Sequence, residues 1–572
     1  MSKKEVKKKE IQENAQPNAT ETKGFLVRFP LLILSAIVLF LYMGSINFGF
    51  TELDDTIFVK ELHPYNEQIS NLVHSFKRGV FSEKDDTYYR PMLLNSFIIN
   101  NSVSDTNVQG YHAMNVFFHL ISVLLLFILF KKLDLDPLKA FLLSLLFAVH
   151  PVLSQAVAWI PGRNDTLLAI FSFGFMIFAL DYLSSHKLKF LFLQILFLLA
   201  ALFTKETAVF IAPAFLILCF IKNDFKWNES KNFLLYGSWL LAIVIWFIVR
   251  SSATLKHDII SYSDIASHFL VRLSLTVQYL GKIILPFNLS VFPMLKETSY
   301  LFGIAAIILL GVLLYFSKSR NLKIVLAGFG WFLILLFPLF ILPSSINDQD
   351  FEHRLYLPIV GILVILSQTA LFSNLKSKTS TLIVLGICAL FFVMNLIHQQ
   401  NFKDSISFWE SAVETTPKSS YANMMLAARL DGEDKSKAKA MMRNAYNLNP
   451  KEKYVNYYIG KDFLNENQID SAQKYFLDEL KGSAYFDTYF LLSRVSFLKN
   501  DTVGSLKYMG MYLEKDRANS QAINNYILML TQNNQVDKAD QFIQQKQKEG
   551  ILVPTALIEM VNQAKKNKAV TQ

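Results

Sequence analysis

Two adjacent carboxylates, Asp54 and Asp55, follow the first apolar run of the chain at the point where such a run would leave a membrane. A carboxylate held there takes the proton of an attacking alcohol when it lies within ~3 Å of the hydroxyl. Four cations, Arg90, Arg163, Lys205 and Arg354, stand at the ends of later apolar runs or between them. Preorganised cations stabilise charge growing on a leaving group, and arginine offers phosphate oxygens a planar fork. Neighbours on an extended segment point to opposite faces, so one acid of the pair reaches a substrate. Asp54 is taken as the base, with Asp55 orienting the acceptor or holding its neighbour in the reactive protonation state. The plainer alternative for the cations is pairing, Arg163 with Asp165 and Lys205 with Glu206, or snorkelling to lipid head groups.

The elements that must carry these residues are membrane helices. With 572 residues, 52% of them hydrophobic, and a mean hydropathy of +0.31, the chain is too apolar for a soluble domain. Crossings are expected near 27–48, 112–130, 138–155, 166–184, 188–203, 206–221, 233–250, 300–317, 323–342, 355–372 and 380–397, eleven in all. Basic clusters at Lys131 and Lys132, Lys187 and Lys189, Lys222 to Lys231, Lys318 with Arg320 and Lys323, and Lys376 with Lys378 mark the cytoplasmic side. Two cytoplasmic loops are separated by an even number of crossings. The stretch 266–285, which carries Arg272, Gln278 and Lys282, is therefore read as re-entrant or interfacial. Residues 1–24, Lys-rich and polar, read as a disordered basic cytoplasmic tail. The membrane domain is expected over 25–397, with a catalytic first outer loop at 49–111. Arg90, Arg163, Lys205 and Arg354 then lie on the outer face, against the usual bias, which asks for an anionic ligand.

From 398 to 572 the chain is polar and helical. Ser405, Ala438, Ala472, Ser505 and Ala539 recur 33 or 34 residues apart, each followed three positions later by a bulky residue, Phe408, Met441, Tyr475, Tyr508 or Phe542. That period marks a tetratricopeptide-repeat solenoid, whose concave face suits an extended polypeptide. His112, His119 and His150 lie on or at the ends of apolar helices with no third ligand spaced for zinc, so no metal site is expected. The chain has no Walker loop, H-E-x-x-H or G-x-G-x-x-G, and no nucleic-acid module, which leaves nucleotide, zinc-hydrolase and nucleic-acid functions unsupported. Cys219 and Cys388 sit inside apolar runs and form no disulfide framework. A transporter would place ionisable groups near the midplane, whereas here they collect at helix ends.

D-D-T-I-F at 54–58, Y-Y-R-P-M at 88–92, G-Y-H-A-M-N-V-F-F-H at 110–119, F-A-V-H-P-V-L-S-Q-A-V-A-W-I-P-G-R-N-D at 147–165, L-F-T-K-E-T at 202–207 and H-R-L-Y-L-P at 353–358 occur in this order ahead of the repeats. In this the chain resembles the transmembrane and tetratricopeptide repeat-containing protein O-mannosyltransferase family, a branch of the GT-C glycosyltransferases. The resemblance implies an all-α, polytopic GT-C bundle. It also implies inverting transfer of a mannose-like sugar from a polyprenyl-phosphate donor to Ser or Thr hydroxyls of extracytoplasmic proteins. Asp54 and Asp55 would be catalytic, with Arg163 first, then Lys205, Arg354 and Arg90, on the donor phosphate. Tyr89, His112, His150, Asp165, Glu206, His353 and Tyr356 would bind substrate. The cofactor implied is the lipid-linked sugar, a divalent metal being possible but not expected. The partners are membrane lipid and an acceptor polypeptide on the repeats. The alternatives are a GT-C oligosaccharyltransferase moving a preassembled lipid-linked glycan, a relative that modifies lipid A or a wall polymer, and a non-enzymatic scaffold recruiting secreted partners. A bacterial inner membrane with periplasmic repeats is favoured over the endoplasmic reticulum with luminal ones.

Overall fold

A computed structural model describes residues 26–82, 86–219, 221, 229–253, 262–341, 349–375, 377–483 and 485–571. The expected tail 1–24, most of the Lys222 to Lys231 run and Lys376 lie outside the described residues. The described chain is helical, with a lone bridge between Met294 and Gln349 and no strand. It divides into two compact units between Thr416 and Pro417, which shifts the domain boundary from the expected 397. The reason is the helix Ser405–Thr415, which bears the first of the periodic small residues. Its Phe408 and Trp409 are buried, and it packs within the first unit.

In the first unit the helices are α1 Pro30–Tyr42, α2 Pro91–Ser104, α3 Val108–Lys132, α4 Pro137–Val149, α5 Ser154–Ala158, α6 Arg163–Ser185, α7 Leu188–Leu202 and α8 Ile211–Cys219. They continue with α9 Phe233–Ala253, α10 Tyr262–Leu273, α11 Leu275–Ile284, α12 Leu301–Tyr315, α13 Leu322–Phe340, α14 Ile359–Leu366, α15 Lys378–His398 and α16 Ser405–Thr415. Each expected crossing has a helix, but they are not equal. Among the described residues six stretches are long and apolar enough to span, and the pair α4 and α5, bent by 52°, makes a seventh if taken as one. The helix α7, the stretch Glu206–Cys219 and α12 are apolar but shorter, and α14 is shorter still. Six or seven of the eleven expected crossings are therefore long and apolar enough to span as single helices, among the described residues. Hydropathy registers how apolar a window is, whereas His150–Pro151 and Phe203–Lys205 break the helix inside or beside it.

Two features position the site. First, α3 and α6 both begin near the loop that follows α1 and run to Lys132 and Ser185, and the ends of α3 are about 37 Å apart at 1.5 Å per residue. Second, the 266–285 stretch is two short helices, α10 and α11, divided at Ser274. Two of its polar side chains end on protein: Gln278 donates to the carbonyls of Leu295 and Thr298 at 3.0 and 2.8 Å. Lys282 reaches Glu352 at 2.5 Å with both side chains buried, and Glu352 also accepts from the Ser290 amide and lies 3.4 Å from His398. Elsewhere α13 and α14 meet backbone to backbone. A Cβ on Gly328 would come within 2.5 Å of the Gly361 carbonyl oxygen, and one on Gly361 within 2.3 Å of the Gly328 oxygen.

The second unit holds α17 Ser420–Leu430, α18 Lys435–Leu448, α19 Val455–Asn465, α20 Ile469–Gly482, α21 Asp487–Leu498, α22 Thr502–Lys515, α23 Ser520–Gln532, α24 Val536–Lys548 and α25 Thr555–Thr571. A shorter and a longer helix alternate from α17 to α22, and Ala438, Ala472, Ser505 and Ala539 are all buried. Close approach is visible where Gly460 faces Phe476 and where the Ser493 and Ser505 hydroxyls donate to each other's carbonyls. A side chain at 460 would displace that ring.

Candidate active site

The acidic pair sits on a turn that opens the loop after α1, and the turn separates the two acids. Asp55 is buried: its Oδ2 accepts from the Thr51 amide at 2.6 Å and hydroxyl at 2.9 Å, and its Oδ1 from the Thr56 amide at 2.9 Å. Burial pushes its carboxyl up to about 6 against those hydrogen bonds. Asp54 adopts a left-handed φ of 65°, as Glu52 does at 57°. Non-glycine residues tolerate that region at some cost, and Asp more readily than most. Its side chain is partly exposed and hydrogen-bonds none of the described residues. Burial of the carboxyl raises it above the ordinary carboxylate range, and the nearby charge of Arg90 pulls it back. The free, strained acid is thus Asp54, and Asp55 ties the turn together.

Two tryptophans hold the turn from outside. The Trp159 indole N–H donates to the Leu53 carbonyl at 2.9 Å, and that of Trp409 to the Thr51 carbonyl at 3.2 Å.

The cations fall into two groups. Arg90, Lys205 and Arg354 cluster with acids that the sequence paired differently. Arg90 Nε meets Glu206 at 3.1 Å, and its Nη1 donates to the Asn164 amide oxygen at 3.1 Å once that amide is oriented to serve Thr204 as well. Lys205 meets Asp165 at 2.7 Å, so the expected Lys205–Glu206 and Arg163–Asp165 pairings are exchanged for Lys205–Asp165 and Arg90–Glu206. Burial lowers the Lys205 ammonium, with Asp165 opposing. Arg354 lies 3.7 Å from Asp350 and donates to the Gln349 carbonyl.

His353 stands among them. Its backbone amide and Nδ1 donate to Gln155 Oε1, its ring packs on Phe351 and Trp159, and Nε2 is 3.9 Å from Asp165. Burial, then the charges of Lys205, Arg354 and Arg90, hold it well below the usual histidine range, so it is neutral.

Arg163 does not join this cluster. It is fully buried, its guanidinium donating to Asn115, Asn100 and the Tyr111 carbonyl at 2.9 to 3.0 Å and lying 4.3 Å over the Phe97 ring. Through Nε and Nη2 it ties α2, α3 and α6 together, while its buried Nη1 meets no hydrogen-bond partner among the described residues. Four of the expected substrate contacts, His150, Tyr356, Tyr89 and His112, are buried with partners inside the protein. His150 donates from Nε2 to the Ile283 carbonyl and accepts the Val152 amide at Nδ1. Tyr356 meets His119, and Tyr89 donates to the Phe76 carbonyl. His112 is buried against the Gly49 carbonyl, behind the acidic turn.

Beside the cluster is a small, partly open cavity of about 70 Å³. Asp165, Lys205 and Arg354 line it together with Leu168, Ile211, Leu335, Pro338, Leu339 and Leu357. Gln155, Asn164, Trp159 and Glu352, all in or beside the quoted motifs, are structural members of the site that the sequence reading passed over.

No family model matches the chain. Among curated relatives, protein O-mannosyl-transferase F38B6.6 of Caenorhabditis elegans is 38% identical over 103 residues, 18% of this chain and 15% of the relative. Human protein O-mannosyl-transferase TMTC3 is 32% identical over 145 residues, 25% of this chain and 16% of the relative. Drosophila melanogaster protein O-mannosyl-transferase Tmtc1 is 29% identical over 184 residues, 31% and 21% respectively. The resemblance carried by the motifs is thus matched by relatives of that name, and the matches span only 15 to 21% of their length. Among solved structures, ArnT from Cupriavidus metallidurans, bound to undecaprenyl phosphate, aligns with a TM-score of 0.38 at 14% identity over 73% of this chain and 74% of that one. An Archaeoglobus fulgidus oligosaccharyltransferase tethered to an acceptor peptide aligns with a TM-score of 0.36 at 12% identity over 74% and 59%.

Proposed function

We propose that the chain is a membrane-embedded protein O-glycosyltransferase that moves a mannose-like sugar from a polyprenyl-phosphate donor to a Ser or Thr hydroxyl. Two observations support this reading: a free carboxylate on a strained turn, within reach of the Arg90 charge, and a cavity lined both by cations and by apolar side chains. An isoprenoid phosphate combines the same two chemistries. Its chain suits Leu335, Pro338 and Leu339, and its phosphate suits Lys205 and Arg354.

In the reaction, Asp54 accepts the proton of the acceptor hydroxyl as its oxygen bonds to the anomeric carbon. The bond from that carbon to the phosphate oxygen breaks on the opposite side, so the configuration inverts. The electron pair leaves on the phosphate, where Lys205, Arg354 and Arg90 meet the growing charge. Asp55 fixes the turn, and neutral His353 and Gln155 shape the wall against the sugar. The repeat unit reads as a tetratricopeptide solenoid that holds the acceptor polypeptide, with the N-terminus cytoplasmic and the repeats outside, in a bacterial inner membrane or its endoplasmic-reticulum counterpart.

The test is glycoproteomics of extracytoplasmic proteins from cells carrying wild type or Asp54→Asn, with the variant shown to be folded and present. Loss of Ser/Thr-linked hexose is expected. Unchanged glycans would return the scaffold reading, and loss of a longer glycan in one block would favour transfer of a preassembled oligosaccharide.

A further inference from the structure

The helix that opens the repeat period does not lie in the repeat unit. Residues 398–416 belong to the first unit and close over the loop that carries the acids. The Gly49 amide donates to the Lys403 carbonyl at 2.7 Å, and a Cβ on Gly49 would touch that oxygen at 3.5 Å. Two residues further on, the carbonyl of Thr51 accepts from the Trp409 indole. Thr51 is the residue whose amide and hydroxyl hold Asp55.

Trp409 is fully buried, with its ring packed on Phe292 and Phe408 at centroid distances of 5.5 and 5.0 Å. Phe292 packs on Phe351, and Phe351 on Trp159 and His353. Trp159 returns to the same turn at Leu53. A closed aromatic chain therefore grips the turn at two carbonyls on either side of Glu52, one residue ahead of Asp54. Both residues in left-handed φ, Glu52 and Asp54, lie inside or next to this grip. Such backbone persists only where its surroundings over-determine it.

We propose that Trp409 is a positioning residue for Asp54: its indole N–H and ring hold the Thr51–Asp55 turn in the strained form that frees the Asp54 carboxylate. The assignment rests on the reading of Asp54 as the base. It makes the first helix of the repeat period part of the site's scaffold, although no residue of that helix touches the reacting atoms. A hydrogen bond of this kind sets the reactive geometry, so its loss appears in the turnover number before it appears in donor affinity.

The experiment compares full-length Trp409→Phe, which keeps an aromatic ring but loses the donor, with wild type and Asp54→Asn in detergent. Amide hydrogen exchange over residues 50–58, the melting temperature, and transfer from polyprenyl-phosphate mannose to a Ser/Thr peptide are measured together. For Trp409→Phe we expect about tenfold faster exchange in 50–58 with the melting temperature unchanged. We also expect a turnover number about five- to tenfold lower, with the donor KM within about twofold of wild type. Unchanged exchange in 50–58 overturns the anchor whatever the activity. Faster exchange with full turnover, while Asp54→Asn is dead, overturns the positioning role alone. An active Asp54→Asn overturns the reading of the base and the assignment with it, whereas the exchange result then still judges the anchor. A parallel fall in melting temperature, turnover and donor affinity reduces Trp409 to a packing residue; Trp409→Leu, which removes the ring as well, should show that pattern and serves as its reference.

Discussion

Two arginines that look alike in the sequence have opposite fates. Arg163 lies in the most distinctive motif of the chain, yet its donors end on Asn100, Asn115 and Tyr111, whereas Arg90 sits on the edge of the acidic turn. Arg163→Met should leave those acceptors unpaired in the interior and lower stability by about 3 kcal/mol, with donor KM unchanged in whatever protein folds. Arg354→Met should instead raise donor KM about tenfold with a smaller effect on melting, because it removes a cation lining the cavity, and Lys205→Met should raise donor KM while also lowering stability, because it strands Asp165. Steady-state kinetics and thermal unfolding of the three variants separate the roles.

The acids carry a pH prediction with a definite sign. The proposed base must be ionised to take a proton and burial raises the Asp54 carboxyl, so the rate should climb with pH through a limb above the ordinary carboxylate range. Arg90→Gln removes the charge that opposes the shift and should move the limb to higher pH, as a pH–rate profile would show. Asp55 acts on stability in the opposite direction. Its folded carboxyl titrates at about 6, above the unfolded one, so its contribution is complete at low pH and is lost as pH rises through about 6. Asp55→Asn should flatten that part of the stability profile.

Among the elements, the pair Lys282–Glu352 ties the short helix α11 to the segment that presents His353 and Arg354. Both groups are out of water, so removing one strands the other. Glu352→Ala should cost about 3–5 kcal/mol in unfolding experiments, and the double change to Met and Gln should recover much of it. Lys282, with Arg272 and Gln278, is legible in the sequence as a charge too costly for a simple crossing, and Lys282 and Gln278 both end on protein. What the sequence could not give was the partner of Lys282, because Glu352 is brought there by folding and by no spacing. The same holds for Trp409. A periodic small residue one turn away assigned its helix to the repeats, and local periodicity says nothing about which neighbour buries a ring. The acid–base pairings failed for a related reason: sequence neighbours on a helix end diverge, and Lys205 reaches across to Asp165 instead.

For the whole molecule, the basic helix ends and the acidic turn occupy opposite ends of α3. In a chain cleared of Cys219 and Cys388, a cysteine at Asp134 should react with an impermeant thiol reagent only from the cytoplasmic side, and one at Asp105 only from outside. The reverse result would place the turn, and any chemistry on it, in the cytoplasm. Both sites flank a single helix, so the assay does not depend on how many of the shorter helices cross fully.

The bare contact between Gly328 and Gly361 fixes how far apart the walls behind Leu335 and Leu357 can stand. It works as the pivot of a caliper, and a single methyl there is a shim. Gly328→Ala should spread the jaws and blunt the preference for a thick, methyl-branched tail over a slim straight one, read as the ratio of transfer rates from isoprenoid and n-alkyl phosphate donors. Selectivity for the greasy half of the substrate would then be set by the absence of two side chains, at a place no head group visits.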